Sequence, residues 1–331
     1  MPNQLSKFSG AARRAVTSKP VKSSAPALIT GALIGAGLAA AWLAVRTQTA
    51  AAERTHPPEG KFVEVDGVRL HYLERGSGPA LVLLHGNGVM AQDFQLSGLI
   101  DKLAQTHYVI AFDRPGFGYS DRPSSTDWTP EAQAQLFHRA LQELKVDKPI
   151  VVGHSWGTLV ALAMGLDYPE QVRALALLGG YYYPSLRIDA FLNALAAVPV
   201  VGTLWRHTAA PLLGRLMWPL LSKQLFAPAP VSPGFRHLAP WMALRPSQLQ
   251  AAAAENGLMV PAAKRLSRRY GELKMPVALL AGAGDKVISA EKNSARLHAE
   301  LANSALDLPG GSGHMVHYNQ ADRIAEAIAK L

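Results

Sequence analysis

Beyond Lys61 the chain is written in short apolar runs, many of them β-branched, separated by longer stretches with helical spacing. Phe62 to Val65 and Val68 to Leu73 alternate apolar with polar positions around Asp66-Gly67, the signature of two strands joined by a tight turn. Leu81 to Leu84, Tyr108 to Phe112, Ile150 to Val152, Ala174 to Leu178 and Val277 to Leu280 are almost wholly apolar, as strands covered on both faces are. Ser304 to Leu308 makes a weaker last strand. Helix-length segments such as Glu131 to Leu144 and Ala290 to Leu301 lie between them. The alternation predicts an α/β fold, a mostly parallel sheet with helices on both faces, begun by an antiparallel hairpin.

From Tyr183 to Tyr270 the strand signal disappears, and Pro, Leu, Trp and Ala dominate. Ala190 to Ala197, Leu212 to Leu225 and Gln248 to Gly257 read as helical pieces. A structureless loop of that length is foreign to a compact domain, so the segment is expected to form a helical layer of its own, a lid at about 183–270.

The N-terminal pattern is of another kind. Ala27 to Val45 is nineteen residues without a charge, and a helix rising about 1.5 Å per residue would then nearly cross a bilayer core of about 30 Å. Lys7, Arg13, Arg14, Lys19 and Lys22 precede it and Arg46 closes it. The positive-inside rule puts such a tail in the cytoplasm and the remainder across the membrane. The expected organisation is a basic tail at 1–26, a single-pass anchor at 27–45, a linker at 46–60 containing Pro57-Pro58, and a folded domain at 61–331. Two other readings stay open: a signal peptide cleaved near Ala50-Ala51-Ala52, giving a secreted protein, and an organelle transit peptide. Gly31 and Gly35 form a G-x-x-x-G, a weak dimerisation signal in so Ala-rich and Gly-rich a helix.

Composition narrows the chemistry. The 331 residues are 49% hydrophobic, ample for a large core, and include no cysteine. That excludes a thiolate nucleophile, a disulfide framework and a Cys-based metal site. Of the formal charge of +9, the five tail cations supply +5, leaving +4 for the rest. That balance is ordinary for a folded domain and does not call for a nucleic-acid partner.

Candidate chemistry centres on Gly153-His154-Ser155-Trp156-Gly157, directly after the apolar run Pro149 to Val152. A strand that ends in G-x-S-x-G and turns into a helix lifts the serine oxygen clear of the sheet, and the glycines make room for the turn. A serine hydroxyl needs a base, and the base needs an orienting group. Asp285 follows Val277 to Leu280 through Ala281-Gly282-Ala283-Gly284, and His314 follows Ser304 to Leu308 through Gly310-Gly311-Ser312-Gly313. Both therefore fall at carboxyl ends of strands, where ligand chemistry in open α/β sheets collects. Asp285 is alternatively a cap for a helix starting near Ser289, and His317 competes with His314 as the base and as the more exposed of the two. His154, pointing away from its neighbour at a sharp turn, is expected to pack or hydrogen-bond nearby. An oxyanion requires fixed donors: the backbone amide of Trp156 is one, and that of Asn87, in His85-Gly86-Asn87-Gly88 after an early strand, is assigned as the other. Taken alone, that second stretch reads simply as a tight turn.

From about Lys61 to Leu331 the chain resembles the α/β-hydrolase superfamily. The likeness rests on His85-Gly86, on Asp113-Arg114-Pro115-Gly116-Phe117-Gly118-Tyr119-Ser120, on Gly153 to Gly157, on Gly282 to Asp285 and on Gly313-His314. It implies an eight-stranded sheet with the lid inserted after the sixth strand, and neither metal nor organic cofactor. Relatives that open epoxides or displace halide use an aspartate at the elbow, where this chain has Ser155. The resemblance therefore implies acyl chemistry on an ester, thioester, lactone or amide, with carboxylic ester hydrolysis as the default. Cleavage of a carbon–carbon bond beside a ketone and a membrane-tethered binding protein without turnover remain alternatives. Tyr181-Tyr182-Tyr183, Phe191, Trp205, Trp218, Phe226 and Trp241 in or beside the lid suit either an apolar acyl substrate or the lid's own core. Arg187, Arg206, Arg215 and Arg236 suit either an acid group or solvent. A lipid-active enzyme brought to the bilayer by its anchor is a third reading.

Overall fold

The computed structural model describes residues 25–187 and 195–331. The basic tail, most of the predicted helix Ala190 to Ala197, and Phe191 lie outside the described residues. Contacts divide the chain into two units, Met1–Ala40 and Ala41–Leu331.

Helix α1, Ala25–Thr55, is long and apolar enough to cross a membrane. In the first unit its residues from Leu28 to Ala40 are all exposed. The stretch 46–60, expected to be a linker, is helical as far as Thr55. Alanines at 50 to 52 are strong helix formers, and tertiary contacts within the second unit fix the result. Val45 and Ala52 are buried, the Glu53 carboxylate meets Arg245 at 3.1 Å, and the Tyr119 hydroxyl donates to the His56 carbonyl. Pro57 and Pro58, which cannot continue a helix, then end it.

Strands β1 (Lys61–Val65) and β2 (Val68–Arg75) form the expected hairpin. Asp66 and Gly67 at its tip have φ of 52° and 75°, the paired positive angles that match a two-residue turn to the twist of its strands. The remaining strands are β3 (Ala80–Leu84), β4 (Tyr108–Phe112), β5 (Ile150–His154), β6 (Ala174–Leu178), β7 (Val277–Leu280) and β8 (Ser304–Asp307). They order as β1-β2-β4-β3-β5-β6-β7-β8, and every pairing from β4 onward is parallel.

Two-residue periodicity divides the strand side chains between two cores. Val82, Leu84, Val151, Leu175 and Leu177 pack beneath α2 (Pro130–Glu143) and α3 (Gly157–Asp167). Leu81, Leu83, Val152, Ala176 and Leu178 face the opposite way, toward Phe94, Leu99 and the C-terminal helix Ala321–Ile328. Thr129 starts α2, its hydroxyl accepting from the Ala132 amide, with Pro130 in the first turn where its missing N–H costs nothing.

The insertion after β6 is helical. Its described part holds a short turn at Leu195–Ala197, α4 (Val201–His207), α5 (Ala209–Phe226), the single turn Pro240–Ala243 and α6 (Pro246–Leu266). The predicted pieces Leu212 to Leu225 and Gln248 to Gly257 lie inside α5 and α6. The register carries five strand ends to one edge: Leu84 stands opposite Gly153, His154 opposite Leu178, Leu178 opposite Leu280, and Leu280 opposite Asp307.

Candidate active site

At that edge β5 turns into α3 through Ser155, whose φ of 50° is the left-handed conformation that side chains rarely adopt. The turn is tight because the backbones touch. A Cβ on Gly153 would come within 2.6 Å of the Gly157 carbonyl oxygen, and one on Gly157 would overlap the Leu84 carbonyl oxygen. The Ser155 amide donates to the Leu178 carbonyl at 2.9 Å, and the Thr158 hydroxyl donates to the Ser155 carbonyl at 2.6 Å. Both bonds hold the strained residue from either side.

The structure brings Ser155, His314 and Asp285 together. His314 Nε2 lies 2.9 Å from Ser155 Oγ, and its Nδ1 lies 2.8 Å from Asp285 Oδ2. With its proton on Nδ1, the ring donates to the carboxylate and leaves Nε2 free to accept from the serine hydroxyl. The other carboxylate oxygen, Oδ1, accepts from the Val287 and Ile288 amides at 2.7 and 3.0 Å. Asp285 thus closes the following turn with one oxygen and meets the histidine with the other, while the helix expected to start near Ser289 has the Ser289 hydroxyl, not Asp285, accepting from the Lys292 amide.

A cavity of about 150 Å³ opens over Ser155. Asn87, Trp156 and His314 line its polar side, and Leu225, Met259 and Ile288 are among its apolar walls. Among the described residues neither the Asn87 nor the Trp156 backbone N–H has an intramolecular partner. A larger cavity of about 740 Å³ lies between the loop from Gly116 to Trp128 and α6, and neither Ser155, Asp285 nor His314 lines it. Of the aromatic residues weighed as a substrate ceiling, Tyr181 faces the Ser155 cavity. Tyr182 and Tyr183 join the main core, and Trp218 stacks on Phe235 with ring centroids 6.1 Å apart.

The fold that carries this site has counterparts among known proteins. The model of the alpha/beta hydrolase fold family matches residues 79–321. The chain belongs to that family. It is 25% identical over 293 residues to haloalkane dehalogenase 2 of Mycobacterium tuberculosis (strain ATCC 25618 / H37Rv), covering 82% of this chain and 94% of the relative. It is 32% identical over 129 residues to 2-hydroxymuconate semialdehyde hydrolase of Pseudomonas sp. (strain CF600), covering 39% of this chain and 46% of the relative. Among solved structures, a membrane phospholipase A described as a novel bacterial virulence factor superposes with a TM-score of 0.64 at 22% identity. That match covers 92% of this chain and 97% of the other, and it is a likeness of fold.

Two features of this alpha/beta hydrolase escaped the sequence reading. The first is a buried ion pair between Arg114 and Glu255, both without solvent exposure. Arg114 donates to the His85 carbonyl at 2.7 Å, to the Gly86 carbonyl at 3.0 Å and to both Glu255 oxygens. Its guanidinium also lies over the Phe117 and Trp156 rings, 4.7 and 4.9 Å from their centroids. From the lid side, the Glu255 carbonyl accepts from Trp156 Nε1 at 3.1 Å, and Asn87 Nδ2 donates to the Ala252 carbonyl at 3.0 Å. The loop carrying Asn87 is therefore fastened to α6. One signal was available: Glu255 is the sole carboxylate between Asp189 and Glu272.

The second is a histidine network behind the site. His317 is fully buried, contrary to the expectation that it is the more exposed histidine, because Nε2 binds Asp93 at 2.9 Å. Tyr318 donates to the other Asp93 oxygen at 2.8 Å. His154 lies at a ring distance of 4.4 Å from His317 and meets the His314 carbonyl at 3.0 Å. Asp93, His154 and His317 have ligand-type atoms within 4.8 Å of one another. Hydrogen bonds already engage both Asp93 oxygens, which fits a structural network better than a metal site. Burial first, and then the proximity of the His317 and His314 rings, holds the His154 ring well below its ordinary pKa.

His85 is also held down, at about 3, by burial first and the Arg114 charge second. The Arg114 amide donates to its Nε2 at 2.9 Å, and the ring lies 2.7 Å from the Gly86 carbonyl through Nδ1, so only the neutral ring fits both bonds.

Two measurements test these contacts. Glu255→Ala leaves a buried guanidinium unpaired and should lower the unfolding free energy by about 3–5 kcal/mol, read by denaturant titration of the full chain in detergent. A loss below about 1 kcal/mol would show that the pair does not hold the lid. For His85, the folded value lies below the unfolded value of 6.5. Its contribution to stability is complete above pH 6.5 and is lost as pH falls toward 3. His85→Gln should flatten the slope of stability against pH between these limits by about 1.4 kcal/mol per pH unit. An unchanged slope would mean that His85 is charged in the folded protein.

Proposed function

We propose that the chain is a serine hydrolase cleaving a carboxylic ester, or a related acyl compound, through an acyl-enzyme on Ser155. What supports this reading is the hydrogen-bonded series from Ser155 Oγ through His314 to Asp285. His314 takes the hydroxyl proton as Oγ adds to the carbonyl carbon, and Asp285 steadies the imidazolium that forms. The amides of Asn87 and Trp156 receive the oxyanion. His314 gives its proton to the departing alcohol, which leaves Ser155 acylated. Water then repeats the addition, His314 removing its proton and returning it to Ser155 as the acid departs.

The elbow residue argues against the chemistry named for the dehalogenase relative. An aspartate that displaces halide becomes an ester, which water can cleave at its carbonyl. A serine would become an ether with no carbonyl to attack. The relative named 2-hydroxymuconate semialdehyde hydrolase favours a second reading, carbon–carbon bond cleavage by the same three residues. The apolar walls of the cavity favour an apolar acyl group.

We place the hydrolase domain on the non-cytoplasmic side, held by α1. The packing of Val45, Ala52 and Glu53 on the hydrolase unit supports retention of the anchor, since cleavage near Ala50 to Ala52 would remove part of the folded structure.

Ser155→Ala should abolish labelling by a fluorophosphonate and lower kcat on short-chain esters by about 10⁴-fold or more with the fold intact. Near-normal turnover by this variant would overturn the assignment. Labelling at Ser155 without turnover of any ester, but with cleavage of a vinylogous diketone, would favour the second reading. For topology, protease added outside intact cells whose outer barrier has been opened should digest the hydrolase domain. Full protection until the inner membrane is lysed would reverse the orientation.

A further inference from the structure

Helix α5 is apolar on its outward side as well as its inward one. A helix on a water-soluble domain buries its apolar stripe and shows water a polar one. Here Pro211, Ser222 and Phe226 face inward, while Leu213, Leu216, Met217 and Leu220 face outward, Leu216 being 75% exposed. Helix α4 continues the pattern with Leu204 and Trp205 exposed. Isolated exposed leucines are ordinary, but a contiguous apolar face on two consecutive helices is an interaction surface.

Charge selects the occupant. From Ala190 to Ala254 the chain contains no Asp or Glu, yet it carries Arg206, Arg215, Lys223, Arg236 and Arg245. Arg215 and Lys223 are exposed on α5 itself. Arg206 and Arg245 are buried, but an apolar face that carries the exposed cations Arg215 and Lys223 and the exposed Trp205, with no acid on either helix, matches an anionic lipid surface. A second copy would set cation against cation. The portion of α1 within the hydrolase unit agrees: Trp42 and Arg46 share a cleft with His207 at the end of α4, and the one acid there, Glu53, is paired with Arg245. At its other end α5 reaches the site, where Leu225 lines the Ser155 cavity.

We infer that the outward face of α4 and α5 docks on the lipid bilayer. Building on the serine hydrolase reading, the substrate is then a long-chain acyl ester resident in that bilayer, entering the cavity beside the last turn of α5.

The chain has no cysteine, so a single probe can be placed at will. Full-length Leu216→Cys carrying a nitrobenzoxadiazole label, in the Ser155→Ala background, is reconstituted into phosphatidylcholine–phosphatidylglycerol vesicles. The label should shift to the blue and be quenched by brominated acyl chains, while the same label at Lys330→Cys stays water-like. Water-like emission at position 216 overturns the inference, and so does a blue shift without bromolipid quenching, as burial against a second copy would give. In the active enzyme, Leu216→Asp with Leu220→Asp should cut turnover of a vesicle-borne long-chain ester by about tenfold. Turnover of a water-soluble short-chain ester should not change, and equal loss on both overturns the inference. Quenching does not depend on catalysis, so an enzyme that turns over no ester would defeat the serine hydrolase reading while leaving the docking result to stand alone.

Discussion

The candidate site depends on how closely the turn after β5 passes the end of β3. No Cβ fits at Gly157 against the Leu84 and His85 carbonyls, and Ser155 between the elbow glycines is forced to a φ of 50°. A non-glycine residue in that region costs about 1–2 kcal/mol, which the surrounding sheet must offset. The close crossing brings three things to one point: the serine oxygen, the head of α3, and the loop from His85 to Asn87. Register does the rest, because the ends of β7 and β8 align with the same edge and deliver Asp285 and His314 from more than a hundred residues downstream.

The lid is not a uniform cover. Helix α6 is bound to the floor of the site by a buried charge pair with Arg114, by the Trp156 indole N–H from the turn after β5 and by the Asn87 side-chain amide. A guanidinium that donates to two loop carbonyls fixes the direction of the peptide planes between them. Helix α5 has few such ties and exposes most of its length. One half of the insertion thus belongs mechanically to the hydrolase core, and the other half is only leaned against it.

Which features could be read from the sequence follows from the range of the forces that create them. Strands announced themselves through two-residue alternation and β-branched runs, and Asp66-Gly67 through turn chemistry, because each is decided within a few residues. Ser155, Asp285 and His314 were legible because each sits just after a readable strand. The continuation of α1 to Thr55 was not, since alanines serve equally in linkers, and the choice was made by Arg245 and Tyr119 far along the chain. Glu255 is paired with a residue 141 positions away and Asp93 with one 224 positions away. No local pattern encodes either partnership. The burial of His317 was invisible for the same reason.

The backbone amide of His314 donates to the Leu225 carbonyl at 3.0 Å, so the last turn of α5 supports the histidine as well as walling the cavity. Any displacement of that turn would be felt at the backbone of the histidine that faces Ser155. The carbonyl near the end of α5 and the histidine facing Ser155 thus share one backbone hydrogen bond, so the placing of the cavity wall and the placing of the imidazole are a single structural fact.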